Sequence, residues 1–329
     1  MGSDSSVALV TGVAGFIGSH VAEALLARGE SVIGVDSFDS YYDPAVKRAN
    51  VAEVARAGGD RFTLVEADIR DEAAMARAFT HYRPDSLVHL AARAGVRPSI
   101  ADPALYADVN VVGTARLLAA AERAGRRRLV LASSSSVYGG NTKLPFAEAD
   151  DVSRPISPYA ATKRACELLA HAHQHLTGAS VACLRFFTCY GPRQRPDLAI
   201  HKFMRMVHAG EPIPVFGDGS SSRDYTYIDD IVAGVLAALD RIDGRGYRIW
   251  NLGSSEPVRL STMIEAAGAV VGKTPIIDRR PTQPGDAPHT YADLTRAGAE
   301  LGYQPSTRFE DGLRAQWEWL KPRLGATGR

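Results

Sequence analysis

The hydrophobic and polar positions of this chain fall into two alternating textures: short apolar runs rich in β-branched residues, and longer stretches with helical spacing. The first run, 7–11 (Val-Ala-Leu-Val-Thr), has no polar position until its last residue, so it reads as a strand buried on both faces. Residues 17–28 carry apolar positions at helical intervals and stop at Gly29. A second strand at 31–35 ends at Asp36. The rhythm continues with a strand at 62–65, a helix over 72–79, a strand at 86–90 and a helix from about 103 to 124. A strand at 128–133, a long helix from Pro158-Tyr159 to about Leu176 and a strand at 181–187 complete it. Strand units alternating with helix units predict a Rossmann-type α/β fold, a doubly wound parallel sheet with helices on both faces.

After Tyr190-Gly-Pro192 the texture changes. Prolines and glycines cluster in 191–220 and 272–288, with short elements between them. This predicts a smaller C-terminal α/β lobe, 189–329, built on the first lobe, 1–188. Segments near 226–252 (226–239 and 247–252) return to the first lobe.

Composition removes several classes of function. With 329 residues, 45% hydrophobic and 23% charged, the chain has ample material for a large core. A formal charge of +1 gives no global field for nucleic acid or an anionic membrane, so anion binding must be local. No apolar run approaches the roughly 18 residues of a bilayer span, and residues 1–6 are polar without a signal-peptide pattern. Cys166, Cys183 and Cys189 have no metal-type spacing; they read as reduced structural thiols, with no metal site. A cytoplasmic protein is expected.

Candidate chemistry begins at Gly12-x-x-Gly15-x-x-Gly18, which follows a strand and opens a helix. In that context the glycines allow a tight turn, close approach of backbone to a pyrophosphate, and close helix–sheet packing. The helix N-terminus, with Phe16 and Ile17, offers free N–H groups to phosphates. Asp36, ending the next strand, is placed to accept hydrogen bonds from ribose hydroxyls and would repel a 2′-phosphate, which favours NAD over NADP. Asp68-Ile69, after the third strand, would reach the adenine edge. Tyr159 and Lys163 lie one helical turn apart on one face. A lysine there favours a phenolate, and a phenol that loses its proton near neutrality is a general base for a sugar hydroxyl.

Taken in order, the glycine loop, Asp36, Asp68-Ile69, His89-Leu90-Ala91-Ala92, Asn110, Ser133 to Tyr138-Gly139 and Tyr159-x-x-x-Lys163 resemble the extended short-chain dehydrogenase/reductases, nucleotide-sugar epimerases and dehydratases in particular. The resemblance runs from residue 7 to about 320. It implies that residues 1–188 bind NAD and 189–329 bind a UDP-sugar. Tyr159 would be the base, with Lys163 holding the nicotinamide ribose and Ser134, four residues before Tyr138, bonding the reacting sugar oxygen; Ser136 is the alternative. Leu90, Ala91, Ala92 and Asn110 would border the cofactor. Arg223 would grip the diphosphate, Val215 and Phe216 would border the uracil, and Arg280 or Gln283 would close over the nucleotide.

Within that group, Ser134-Ser135-Ser136 lacks the acid that dehydratases and decarboxylases place in the same loop, and Thr188 stands where UDP-galactose 4-epimerases carry asparagine. Arg195, in Tyr190-Gly-Pro-Arg-Gln-Arg195-Pro-Asp197, adds an arginine beside the sugar pocket, as does Arg93 in the 92–99 segment. These features resemble the UDP-glucuronate 4-epimerases, since planar guanidinium recognises a C5 carboxylate in a two-pronged way. The resemblance implies C4 epimerisation through a transient 4-keto sugar, with tightly bound NAD. A UDP-glucose/UDP-galactose 4-epimerase, a UDP-glucuronate decarboxylase and a non-catalytic dinucleotide sensor are the alternatives. The alternative readings make Arg195 a staple to Asp197 and Arg223 half of a surface ion pair. Alanine- and leucine-rich faces on the helices at 103–124 and 158–176 imply, through the same resemblance, a homodimer joined by a four-helix bundle.

Overall fold

The computed structural model describes residues 6–281 and 289–324. In the first half the strands are β1 (Val7–Thr11), β2 (Ser31–Asp36), β3 (Phe62–Glu66), β4 (Ser86–His89), β5 (Arg128–Ser134) and β6 (Ser180–Phe186). The second half adds β7 (Thr188–Tyr190), β8 (Ile213–Phe216), β9 (Ser222–Tyr227), β10 (Tyr247–Leu252), β11 (Pro257–Arg259) and β12 (Ile277–Arg280). Helices α1 (Phe16–Ala27), α2 (Pro44–Gly58), α3 (Glu72–Tyr82), α4 (Val96–Ala101), α5 (Pro103–Tyr106), α6 (Gly113–Arg123) and α7 (Pro158–Thr177) serve the first lobe. They are followed by α8 (Ala199–Ala209), α9 (Ile228–Arg241), α10 (Leu260–Val271), α11 (Thr295–Leu301) and α12 (Phe309–Leu324).

Seven strands form one parallel sheet in the order β10-β6-β5-β4-β1-β2-β3. Side chains alternate between its faces, as the two-residue strand period requires. Ala8 and Val10 of β1 pack in one layer with α1, α2 and α9, whereas Leu9 packs in the other with α3, α6 and α7. Because β1 lies between β2 and β4, the winding direction reverses between β1 and β4, and the crevice outside their C-terminal ends is where such sheets bind ligands. The segments leaving β1, β2 and β4 therefore meet there.

Two segments of the second half pack against the large sheet. The strand β10 pairs in parallel with β6 at the sheet edge, and α9 packs on the face that α1 covers. Residues 226–227, expected with them, instead end β9 in a separate three-stranded sheet, β11-β9-β7. That sheet, the β8–β12 pair, α8, α10 and α12 enclose a second core around Met204, Val207, Met263, Leu313 and Trp317. The expected helix over 103–124 is present but not uniform, because a π-helical turn, Ala107–Val112, joins α5 to α6. No helix among the described residues is long and apolar enough to cross a membrane.

Candidate active site

The turn after β1 is built on glycine for reasons the geometry makes explicit. Gly12 has φ +73°, and a Cβ there would lie 2.7 Å from the Ala91 backbone nitrogen. At Gly18 a Cβ would meet the Gly12 carbonyl oxygen at 2.0 Å, so only hydrogen fits. Gly15 caps α1 without a side-chain hydrogen bond, which leaves the first N–H groups of the helix for an anion. Asp36, at the end of β2, accepts from the Ala14 amide at 3.0 Å and the Phe38 amide at 2.8 Å. Burial pushes its carboxyl up, and those two amides offset only part of the rise. Four lone-pair sites with two amide donors leave acceptor capacity for a ribose diol. A glycine cradle, an uncapped helix end and this carboxylate fit a dinucleotide.

Opposite the cradle, α7 begins with Ser157, whose side chain accepts from the Ala160 amide at 3.2 Å, followed by Pro158 in the first turn. This start fixes the position of Tyr159, whose amide also donates to Ser99 Oγ at 3.0 Å. Lys163, only 5% exposed, donates from Nζ to the Ala132 carbonyl at 2.9 Å, tying α7 to β5. Ser134 ends β5, and its Oγ accepts from the Ser136 amide at 3.1 Å, which curls residues 135–138 into a 3-10 turn.

Behind these groups lies a buried network. Glu167, one turn beyond Lys163, accepts from Arg185 Nε at 2.9 Å and Nη2 at 3.0 Å, from Ser133 Oγ at 2.6 Å and from Arg164 at 2.9 Å. Burial pushes the Glu167 carboxyl up, but the hydrogen bonds and charge of Arg185 outweigh it, and the net direction is down. Its partners tie α7, β5 and β6 together directly behind Ser134.

One cleft of about 1130 Å³ runs from the glycine cradle to the second lobe. A pocket for a single drug-sized ligand is about 300–1,000 Å³, so the space suits a dinucleotide with a second nucleotide beside it. The cleft gathers Gly12, Gly15, Phe16, Ile17, Gly18, Asp36, Asp68, Ile69, Leu90, Ala91 and Ala92 at one end. It continues past Arg93, Ser134, Ser136, Tyr159, Lys163, Thr188 and Arg195 to Phe216 and Arg223.

Four predicted residues lie elsewhere, and one falls outside the described segments. Asn110 is buried in the π-helical turn, where its side chain accepts from the Arg93 amide at 2.8 Å and donates to the Arg93 carbonyl at 3.0 Å. It holds the segment after β4 and does not line the cleft. Ser135 does not line the cleft, although Ser134 and Ser136 on either side of it do. Val215 sits in the core of the second lobe, because alternation along β8 sends it inward and leaves Phe216 toward the cleft. Arg280 is exposed and pairs with Asp278 at 2.7 Å. Gln283 lies outside the described residues.

Arg195 forms a bidentate pair with Asp197, at 3.0 and 2.7 Å, and it also lines the cleft. Arg223 likewise faces the cleft and donates to the Ser222 carbonyl at 2.9 Å. The structure adds Tyr41, Tyr42, Lys47, Arg97, Gln194 and Lys202 to the lining. The run Ser40-Tyr41-Tyr42-Asp43, directly after the strand ending at Asp36, was the available signal, since loops at strand C-terminal ends face the crevice.

With this geometry in place, the chain belongs to the NAD dependent epimerase/dehydratase family, whose model matches residues 8–253. It is 40% identical over 317 residues to a UDP-glucuronate 4-epimerase of Thermodesulfobacterium geofontis, with 96% of each chain covered. It is 42% identical over 329 residues to UDP-glucuronate 4-epimerase 4 of Arabidopsis thaliana, covering 94% of this chain and 74% of that one. A solved UDP-glucuronic acid 4-epimerase from Bacillus cereus, in complex with UDP-glucuronic acid and NAD, matches with a TM-score of 0.90 and 34% identity over 96% of this chain and 99% of that chain.

Proposed function

We propose that the protein inverts C4 of a UDP-sugar, interconverting UDP-glucuronate and UDP-galacturonate with NAD retained between turnovers. The observation that carries this reading is the single cleft in which Tyr159, Lys163, Thr188 and Arg195 face the glycine cradle and Asp36. The relatives named above carry the same activity in their names. Residues 1–188, with the returning segments near 226–252, are assigned to NAD, and the rest of 189–329 to the UDP-sugar.

When bound, NAD supplies reversible oxidation at C4, so that a 4-keto sugar can present its other face before reduction. The protein's own groups do the rest. The Gly15–Gly18 turn and the N-terminus of α1 hold the pyrophosphate, and Asp36 takes the adenosine ribose. Tyr159 removes the proton from O4 and later returns one to it. Lys163, fixed by the Ala132 carbonyl, places a positive charge one turn from that phenol. Ser134, with Ser136 beside it, bonds the sugar oxygen. Arg195 and Thr188 hold the C5 carboxylate.

The exposed apolar side chains of α7, Leu168 at 54% and Leu176 at 81%, are eight residues apart and share a face. They support a homodimer in which α6 and α7 pair with their symmetry mates in a four-helix bundle. Three buried free cysteines favour a reducing compartment, the cytoplasm.

The test is incubation with UDP-glucuronate without added NAD, followed by chromatography of the products. UDP-galacturonate is expected. Release of CO2 with a UDP-pentose as the main product, or turnover of UDP-glucose in preference to the uronate, would refute the assignment.

A further inference from the structure

Two cleft-lining arginines from different lobes rest on one aromatic ring. The guanidinium carbon of Arg93, on the segment after β4, lies 5.0 Å from the Tyr41 ring centroid, and that of Arg195, on the segment after β7, lies 4.9 Å from it. Each arginine has its own counter-ion. Arg93 donates to both oxygens of Asp39 at 2.8 Å, and Arg195 is bidentate on Asp197. Two cations share the ring because each is neutralised locally.

The loop that carries the ring is itself held in place. The Tyr41 amide donates to Asp39 Oδ1 at 2.8 Å, and Lys47 Nζ donates to the Asp39 carbonyl at 2.6 Å. At its base the loop is anchored by Asp36 accepting from the Phe38 amide. Asp197 uses Nε and Nη2 of Arg195, so the Nη1 edge of the guanidinium remains for a second carboxylate in the cleft. A long side chain on a loop loses much rotamer freedom when it grips a ligand, and a side chain already laid on an aromatic face has lost it beforehand.

We propose that Tyr41 is a positioning residue for uronate selection: its ring carries Arg195 in the orientation that meets the carboxylate of the bound sugar. The inference rests on the uronate reading above and adds to it the residue that sets acid against neutral sugar. The contribution is made by the π face, not by the hydroxyl, so phenylalanine substitutes for it and leucine does not.

The experiment compares Kd values for UDP-glucuronate and UDP-glucose on the NAD-bound protein, in a Tyr159→Phe background so that neither ligand is consumed. A cation–π contact in a partly desolvated site, between the exposed and fully desolvated limits, corresponds to about a tenfold change in affinity. Tyr41→Leu is therefore expected to weaken UDP-glucuronate about tenfold and UDP-glucose less than about threefold. Tyr41→Phe is expected to restore the discrimination. If Tyr41→Leu leaves the ratio of the two Kd values unchanged, or if Tyr41→Phe is as damaging as Tyr41→Leu, the proposal is overturned. A parent protein that itself does not prefer the uronate overturns the underlying reading as well, and that control separates the two failures.

Discussion

Replacing Glu167 by alanine removes the acceptor at the centre of the buried network behind the cleft. Glu167 is fully buried and Arg185 is 1% exposed, so no solvent discount applies to the charge left behind. The variant strands the Arg185 Nε and Nη2 donors and the Ser133 hydroxyl in the core. Breaking a buried pair in this way costs about 3–5 kcal/mol. At about 2 °C per kcal/mol for a chain this large, melting should fall by about 6–10 °C. The double variant Glu167→Leu with Arg185→Met removes both charges and should recover much of that loss.

The pH dependence carries a sign. The folded carboxyl of Glu167 lies below its ordinary 4.5, so its contribution is fully present above that value and is lost as pH falls through the folded value. Glu167→Ala should accordingly be most destabilising near neutrality and converge on the parent in acid. The assay is melting by circular dichroism from pH 3 to 8. A deficit smaller than about 1 kcal/mol at pH 7, or one that grows in acid, would refute the reasoning.

Tyr159→Phe should reduce conversion of UDP-glucuronate by about 10²–10⁴-fold with the substrate still bound, as read by single-turnover chromatography. Gly18→Ala puts a methyl group 2.0 Å from the Gly12 carbonyl oxygen and should abolish NAD retention, measured by nucleotide release on denaturing the purified protein. Arg195→Ala should weaken UDP-glucuronate by about 10–100-fold, the value of a hydrogen bond to a charged group. It should also yield UDP-pentose, because a 4-keto uronic acid whose carboxylate is no longer held can align its C5–carboxylate bond for loss of CO2. Leu168→Lys with Leu176→Lys should convert the proposed dimer to monomer in a sedimentation run without lowering the melting temperature, since both side chains are exposed in the single chain.

The parts of the fold that were legible in the sequence are those where local pattern and final environment agree. The strands β1, β2, β4 and β5 are apolar because both faces are covered, and the glycine loop shows itself because only hydrogen fits at Gly12 and Gly18. Helix α2 had no such signature. It turns Lys47 and Asn50 inward, Lys47 to the Asp39 carbonyl and Asn50 to the Ala14 carbonyl, so polar residues interrupt the apolar stripe that periodicity depends on. The π-helical turn at 107–112 was also hidden, because one extra residue in a helix leaves nearly the same spacing on either side. In the cleft, motif order points to the glycine loop, Tyr159 and Lys163, which line it. It did not show that Val215 faces inward, that Asn110 supports Arg93, or that Glu167 on α7 reaches Arg185 on β6, since each depends on tertiary placement.

Asp36 has a second duty besides any ribose it meets. Its Oδ2 fixes the amide of Ala14 inside the glycine loop, and Asn50 fixes the carbonyl of the same residue. Retooling this enzyme for a phosphorylated cofactor would exchange that acid for a small or basic side chain. Here that exchange would also unfasten the backbone that cups the pyrophosphate. An engineer would have to supply a new clasp for Ala14 before any gain in cofactor preference appeared.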